Sequence, residues 1–512
     1  MKDKNNSILV STESLFPKGW VWTRVGQLYN IVGGGTPSTE IAGYWKGGIP
    51  WITSADIHGL KDIRPRKQIS KDAIENSATN LVPKNSLIVV TRVGLGKIAL
   101  TKVPICFSQD SQALINSSFL LYPDYSLYYL SKAVQVFKYT HRGTTIAGVT
   151  KKQLAELEFP LPPLPEQHAI VSKIEELFSE LDKGVESLKA AQQQLKVYRQ
   201  SVLKSAFEGK LTEQWRQSQD LPDAQELLEK IQKEREEKAK ASGRKQKTVA
   251  PITKEELAAL PELPKGWRWV RLVEAVFDTS NDIVDGPFGS NLKNSDYLEN
   301  GTVPVIGISN IDEGFKKGIR YVSQEKFETI KRSAVYPGDI IVAKIGSSYG
   351  KTGVYPEWMP VGLIPANLLR IRPSKHYAKK LLLHYLRSRA LKTKLDRIMK
   401  STAQPAYNVT AFKELAIPFM SLIEQHQIVQ KIESRLSECD NMEANIATSL
   451  QQAAALRQSI LKKAFEGRLL NDKELEAVRQ DPAWEPAERL LERIRAEKAV
   501  FHSGKKGRKS KE

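Results

Sequence analysis

The sequence is poor in cysteine. Its 512 residues include only Cys106 and Cys439, and no CxxC pair exists. A disulfide framework is thereby excluded, and a cysteine-built zinc site has almost nothing to build on. Long apolar runs are missing too, and no uninterrupted stretch is long enough to cross a bilayer. Met1 to Ser7 are polar and charged with no apolar segment behind them, so no signal peptide is expected. These absences predict a soluble, cytoplasmic protein. Acidic residues are also under-represented: 58 Asp and Glu face 77 Lys and Arg, a net charge of +19. That excess favours a polyanionic partner, either nucleic acid or an anionic membrane. What is present is enough apolar side chain, 41%, to bury real cores. The length implies more than one domain.

Catalytic motifs are missing as well. Gly346-Ser347-Ser348-Tyr349-Gly350-Lys351-Thr352 comes near a phosphate-binding loop. It has three residues between the glycines where four are needed for backbone N–H groups to wrap a phosphate. The corresponding Gly94-Leu95-Gly96-Lys97 lacks the pattern altogether. Asp223 with Glu236 and Lys238 imitates a nuclease carboxylate set, but lies in a charge-dense run where such spacing arises by chance. No Asn/Asp-Pro-Pro-aromatic sequence marks an adenine-amino methyltransferase. Gly33-Gly34-Gly35 is not in a strand-to-helix dinucleotide setting. His168 and His426 recur, and helix-start packing is expected of them rather than catalysis. No catalytic, cofactor-binding or metal-binding residue is expected.

The chain does repeat itself. Pro17-Lys18-Gly19-Trp20-Val21-Trp22 returns as Pro264-Lys265-Gly266-Trp267-Arg268-Trp269. Val89-Val90-Thr91-Arg92-Val93-Gly94 returns as Ile341-Val342-Ala343-Lys344-Ile345-Gly346. Glu166-Gln167-His168 matches Glu424-Gln425-His426, and Ser201–Gly209 matches Ser459–Gly467, both at an offset of 258 (424 − 166 and 459 − 201). Leu227–Ile231 has a weaker echo in Leu490–Ile494. The globular stretches between these landmarks differ widely while the helical stretches keep register. Shared parts therefore do a common structural job, and the divergent parts are free to recognise different things.

The expected organisation is an N-terminal arm at 1–14, a globular domain at 15–161, a long helical segment at 162–211 and a charged connector at 212–262. A second globular domain at 263–419, a second helical segment at 420–470 and a C-terminal helix with a basic tail at 471–512 follow. Ser86–Thr91 and Ile98–Lys102 read as strands, Leu127–Tyr139 as a helix, and Gly33–Ser38 and Gly47–Pro50 as loops. Residues 166–208 read as one helix, with prolines before it and Gly209 as its C-terminal cap. Ile170, Ile174, Leu177, Leu181, Leu188, Ala191, Leu195, Tyr198 and Val202 step by four and three, a coiled-coil seam. In the second copy Ile428, Ile432, Cys439, Met442, Ile446, Leu456 and Ile460 keep a less regular rhythm, with Arg435 and Ser449 interrupting it. A helix packed only on its own domain is the alternative. At 1.5 Å per residue, however, such a helix spans roughly 65 Å and outruns that domain. The predicted fold is mixed α/β (α+β): two globular domains separated by two long helices forming an antiparallel coiled coil, with an internal pseudo-two-fold repeat. Ser242–Lys247 reads as a flexible loop, and Lys505, Lys506, Arg508, Lys509 and Lys511 as a disordered basic tail.

These landmarks in duplicate resemble the specificity subunit of type I restriction–modification enzymes over nearly the whole chain. Besides the Pro-Lys-Gly-Trp openings, they include Gly35-Thr36-Pro37-Ser38, Pro160–Gln167, the Ala-Phe-Glu-Gly phrases at 206 and 464, and Lys210–Arg216. The second opening departs from the pattern, with Asp285-Gly286-Pro287-Phe288-Gly289-Ser290 in place of Gly-Thr-Pro-Ser. The resemblance implies that two target-recognition domains each read half of a bipartite double-stranded DNA site. It implies that the paired helices set the spacer and dock two methyltransferase subunits, which hold S-adenosylmethionine and methylate adenine. Two motor–nuclease subunits using ATP and Mg would cut unmethylated DNA, and this chain would be non-catalytic.

Base edges are read by bidentate Arg, Lys, Asn and Gln, and phosphates by Lys and Arg. The candidate DNA-binding residues near the landmarks are Thr53, Ser54, Asp56, Arg92, Lys97, Gln109, Asp110, Gln112, His141, Arg142 and Thr144 in the first domain. In the second they are Ser309, Asn310, Lys344, Ser347, Ser348, Tyr349, Lys351, Asn367, Gln404, Tyr407 and Asn408. A stand-alone DNA- or RNA-binding protein and a self-contained methyltransferase or nuclease are the rival readings.

Overall fold

The computed structural model describes residues 17–116, 118–140, 148–242, 249–312, 314–316, 318–345, 348–400 and 409–508. It divides into two compact units. One holds the chain up to Leu188 together with Thr448 onward, and the other is Lys189–Ala447. Both boundaries fall inside the long helices, Leu164–Phe207 and Leu422–Phe465.

In the first unit a four-stranded antiparallel sheet has the order Tyr29–Gly33, Ser111–Asn116, Leu87–Val90, Ile98–Leu100. A three-stranded sheet places Ile49–Ile52 between antiparallel Lys67–Ile69 and parallel Cys106–Phe107. Val21–Arg24 pairs with Glu158–Leu161, which closes the domain on itself just before the long helix. Ile49 and Pro50, expected in a loop, open a strand. Proline is tolerated at this second position because the pairing with Cys106–Phe107 begins only at Trp51.

Period-two alternation explains why the central strand is apolar throughout. Leu87 and Val89 face the core that carries the helices, while Ile88 and Val90 face the core between the sheets. The second unit repeats both the order and the logic. Its sheet runs Ile283–Asp285, Leu368–Ile371, Ile340–Ala343, Thr352–Val354. Ile340 and Val342 face the helices, and Ile341 and Ala343 face the other way. Arg268–Arg271 with Ala416–Phe419 closes this domain as its counterpart closes the first.

The repeated phrases form a clasp at the root of each long helix. Pro17 to Trp20 is a turn with Gly19 at φ +89°, and Gly266 has φ +85° in the copy, which only glycine adopts without strain. The turn aims Trp20 Nε1 at Glu166 Oε2 (2.6 Å), whose other oxygen accepts Trp484 Nε1 (2.9 Å). In the second unit Glu424 accepts Trp267 Nε1 (2.7 Å), Arg216 Nε (2.7 Å) and the Thr212 hydroxyl (3.0 Å). Gln167 accepts from Tyr122 N and donates to Pro162 O, and Gln425 does the same with Ala378 N and Met420 O. Each unit is completed by the helix end of the other copy. Ile460, Leu461, Ala464 and Phe465 enter the first core, followed by Ala487, Leu490 and Ile494. Leu203, Ala206 and Phe207 enter the second, followed by Ala224 and Ile231. Each such Ile, Leu or Phe side chain contributes about 1.5–3 kcal/mol on burial, and each alanine less. The chain wiring is thus reciprocal, a feature the repeat alone did not disclose.

The long helices pair antiparallel, and two ion-pair clusters fix the register. Asp182 meets Arg457 (3.1 Å), and Arg199 meets Asp440 (2.6 Å) and Glu443 (3.0 Å). Adding the repeat offset of 258 to Asp182 gives Asp440, and to Arg199 gives Arg457, so the two contacts are one contact made twice. Among the seam residues Ile170, Ile174, Val202, Ile428, Ile432, Cys439, Ile446 and Ile460 are buried, and Leu177, Leu181, Leu188, Ala191 and Leu195 are half-buried. Tyr198, Met442 and Leu456 are exposed, contrary to expectation. The heptad count drifts through this stretch, and the half-buried Leu436 and Leu450 flank the pairing instead. The charged connector is the helix Ala224–Ser242, and 243–248 lie outside the described residues. The tail differs from expectation. The helix from Ala487 runs on to Arg508, so Lys505, Lys506 and Arg508 belong to it, while Lys509 and Lys511 lie outside the described residues.

Candidate nucleic-acid interface

In the first unit the loop 91–97 joins Leu87–Val90 to Ile98–Leu100 and gathers other segments around it. Thr91 N and Arg92 N donate to Asp110 O (2.8 and 3.2 Å). Lys97 Nζ donates to Ser54 O (2.9 Å) and Ile57 O (3.2 Å). Gln112 Nε2 donates to Val149 O (3.3 Å), and its Oε1 is buried without a hydrogen-bond partner. The Thr36 hydroxyl donates to Gln109 Oε1. Segments expected to bind DNA therefore meet at one end of the sheet. Arg92, Lys97 and Gln109 stand exposed there, and Asp110 and Gln112 are half-buried.

Thr53 and Asp56 are engaged locally. The Thr53 oxygen caps the turn Ser54–Asp56, and Asp56 accepts Thr53 N (2.8 Å) and Arg66 Nε (2.5 Å). Burial pushes the Asp56 carboxyl up. The Arg66 guanidinium and the two Thr53 donors outweigh it and hold the group below the usual carboxylate range. His141, Arg142 and Thr144 lie outside the described residues, as do Ser347, Gln404, Tyr407 and Asn408.

The second unit builds the corresponding end with different chemistry. Lys344 N, directly after its strand, donates to Asn367 O (3.0 Å), as Thr91 N does to Asp110 O (2.8 Å). Lys344 itself is only 3% exposed. Its Nζ meets Asp285 Oδ2 at 2.7 Å and lies 4.5 Å from the centre of the Phe288 ring. Asn310 is buried and its Oδ1 accepts Gly307 N (2.6 Å), while Ser309 beside it is exposed. The Tyr349 hydroxyl donates to Asp396, and this hydrogen bond raises the Tyr349 pKa. Ser348, Lys351 and Asn367 are half-buried, and Asn367 Oδ1 is buried without a partner.

The divergent openings superpose in role. Gly34 N donates to Ser111 O (3.2 Å), and Gly286 N to Leu368 O (3.3 Å). A Cβ on Gly34 would lie 2.1 Å from Ser108 O, and one on Gly286 would lie 2.1 Å from the Pro365 carbonyl carbon. The common requirement is thus one glycine where two backbones cross, and the rest of the Gly-Thr-Pro-Ser phrase is free to vary. Asp285, the residue before Gly286, stands where the first unit has Gly33. Sequence reasoning noted Asp285 and Lys344 separately and missed their pairing; the signal was the replacement of Gly33 by a carboxylate. It missed Arg66 and Asp396 altogether, for which the sequence carries no signal. Among the described residues no group of three or more His, Cys, Asp or Glu is arranged to hold a metal ion, and no helix is long and apolar enough to cross a membrane.

The sequence matches the model of the type I restriction modification DNA specificity domain twice, over residues 17–190 and 281–452. It is similar to the type I restriction enzyme EcoBI specificity subunit of Escherichia coli, 27% identical over 72% of this chain and 70% of that one. The EcoKI specificity subunit of E. coli is 24% identical over 96% of this chain and 98% of its own. The MjaIX specificity subunit of Methanocaldococcus jannaschii is 24% identical over 88% and 94%. Among solved structures, a chain from a study of complex assembly and conformational transition of the type I R-M system aligns with a TM-score of 0.61. It is 20% identical over 89% of this chain and 99% of that chain. The HsdS subunit from Thermoanaerobacter tengcongensis aligns at 0.54, 19% identical over 89% and 98%. With the two matched segments covering most of its length, the chain belongs to the type I restriction modification DNA specificity family.

Proposed function

We propose that the chain is the DNA-reading, non-catalytic subunit of a type I restriction–modification complex, with one half of a bipartite site read by each globular domain. The observation that carries this is the duplication itself. Two domains share sheet order, closing strands and clasp, yet differ in the side chains at the loop end of the sheet. One fold presenting two chemistries suits two different half-sites. The domains are those bounded at 15–161 and 263–419. The long helices at 162–211 and 420–470 fix the unread spacer between halves, since a paired helix is a stiff length standard. They also dock two methyltransferase subunits, which carry S-adenosylmethionine and modify adenine, and two motor–nuclease subunits using ATP and Mg join them.

Within this reading, Arg92, Lys97 and Gln109 are the described first-domain residues that contact DNA, and Ser309, Ser348 and Lys351 are those of the second. Asp56, Asn310 and Lys344 shape the loops from inside. Phosphate contacts make binding fall with salt. Methylome sequencing with and without the gene tests the proposal. Loss of methyladenine from a two-part motif with a fixed gap is expected, and unchanged methylation would overturn it. Purified chain that methylates or cleaves DNA by itself would favour a self-contained enzyme instead.

A further inference from the structure

Two residues that touch in the first unit have both changed in the second. Asp56 and Asn310 occupy the same place in the fold. Each lies just past a strand held by a parallel partner, Trp51 opposite Cys106 and Val305 opposite Leu363. Each side chain accepts from the backbone N–H three residues earlier, Thr53 N (2.8 Å) and Gly307 N (2.6 Å). The antiparallel neighbours keep the same register, with Trp51 opposite Lys67 and Val305 opposite Arg320, so Arg66 corresponds to Ile319. The residue after each keeps its role. Lys67 lies 4.9 Å from the centre of the Trp45 ring, and Arg320 3.9 Å from that of Tyr297. Where the first unit has the Asp56–Arg66 ion pair, the second thus has an amide and an aliphatic side chain packed on its core. The turn and the strand form without the pair, so the fold does not require it.

The pair leaves one edge of Arg66 open. Its Nε donates to Asp56 Oδ1 (2.5 Å), while Asp56 Oδ2 accepts Thr53 N and the Thr53 hydroxyl (2.8 Å each). The Asp56 side chain is 4% exposed and that of Arg66 is 68% exposed. Among the described residues neither Nη of Arg66 has a hydrogen-bond partner. Lys97 Nζ donates to Ser54 O and Ile57 O in the same turn, so Arg66 belongs to the end of the sheet where Lys97 is exposed. A guanidinium held through Nε presents its two Nη groups as a fork, which matches O6 and N7 of guanine in the major groove. Holding it before DNA arrives lowers the ordering cost of binding. We infer that Arg66 reads a guanine in the half-site of the first domain through both Nη groups, with Asp56 as its positioning residue. The inference rests on the reading of the chain as a divided DNA reader.

The experiment replaces the guanines of the identified site one at a time by 7-deazaguanine, which removes the N7 acceptor and leaves base pairing intact. Binding is measured with the full chain in complex with its methyltransferase subunits. One guanine in one half-site should bind about tenfold more weakly when substituted. Arg66→Ala should weaken binding to the unsubstituted site about thirtyfold and make that one substitution silent, with every other guanine responding as before. Asp56→Asn keeps the cap, as Asn310 does, and should shrink the same penalty while leaving the other half-site unaffected. A wild-type 7-deazaguanine profile in Arg66→Ala, or a half-site with no guanine, would overturn the inference. So would a loss in Arg66→Ala that is equal on unrelated DNA and lowers the salt slope, which would make Arg66 a phosphate contact. Failure of the divided-reader proposal looks different: the wild-type complex would show no preference for a two-part site.

Discussion

Arg92 and Lys344 match in the repeated phrase but differ by one place in the fold: Lys344 directly follows its strand, where the first unit has the buried Thr91, and is buried against Asp285, while Arg92 stands one residue further on and is exposed. A neighbouring position differs as well. Gly33 offers the first unit no side chain, while Asp285 offers the second a carboxylate. Among the described residues no carboxylate pairs with Arg92, so its charge faces outward. Duplication thus leaves the scaffold alone and changes where the charge at the loop end is directed. A repeated basic residue is therefore no evidence of a repeated role.

The strongest way to break this comparison is to remove the carboxylate. Asp285→Ala strands a buried ammonium and should cost the second unit about 3–5 kcal/mol. Hydrogen exchange should report it as lost protection in Ile340–Ala343, with Leu87–Val90 unaffected. The double variant with Lys344→Met should recover most of the loss. What the units share is tested next. Gly34→Ala and Gly286→Ala each drive a Cβ into a crossing backbone, and each should destabilise its own unit by about 3 kcal/mol. A large difference between the two would mean the openings are not equivalent.

The scaffold was legible because repeats need no tertiary information. The two long helices, their caps at Gly209 and Gly467 and the strand Leu87–Val90 follow from spacing alone. The seam was less so. Tyr198, Met442 and Leu456 fit a heptad on paper, but the interface in mid-helix is narrow and the ion pairs of Arg199 and Arg457 set its register. The site was the least legible, because its deciding contacts join residues far apart in the chain. Lys344 with Asp285, Asp56 with Arg66 and Tyr349 with Asp396 are examples. No local pattern tells an exposed loop lysine from one that has found a carboxylate 59 residues away.

Two smaller effects sharpen the contrast. Arg92→Ala should lower the slope of log affinity against log salt by about 1 and weaken binding roughly tenfold, because a phosphate or base contact is lost. The Asp285→Ala/Lys344→Met double variant should leave the slope unchanged, since the pair it removes is already neutral within the fold. The smallest effect is one of pH. Lys394 lies against Trp269 and donates to Tyr385 Oη and Ala416 O (3.2 Å each), and burial lowers its pKa from 10.5 to about 8. The folded state therefore releases this proton before the unfolded state does. The penalty is present below pH 8 and is relieved as pH rises from about 8 towards 10.5. Thermal melts should show the wild type gaining on Lys394→Met over that window, by about 1 kcal/mol or less given partial solvent screening.

The central claim is that each unit reads its own half of the site. Its most direct test replaces residues 264–419 by a second copy of 17–161 and sequences the methylated DNA of cells carrying the chimaera. The account predicts a symmetric motif, the first half-site followed by its inverted repeat across the same gap. A motif identical to the wild type, or one that stays asymmetric, would contradict it.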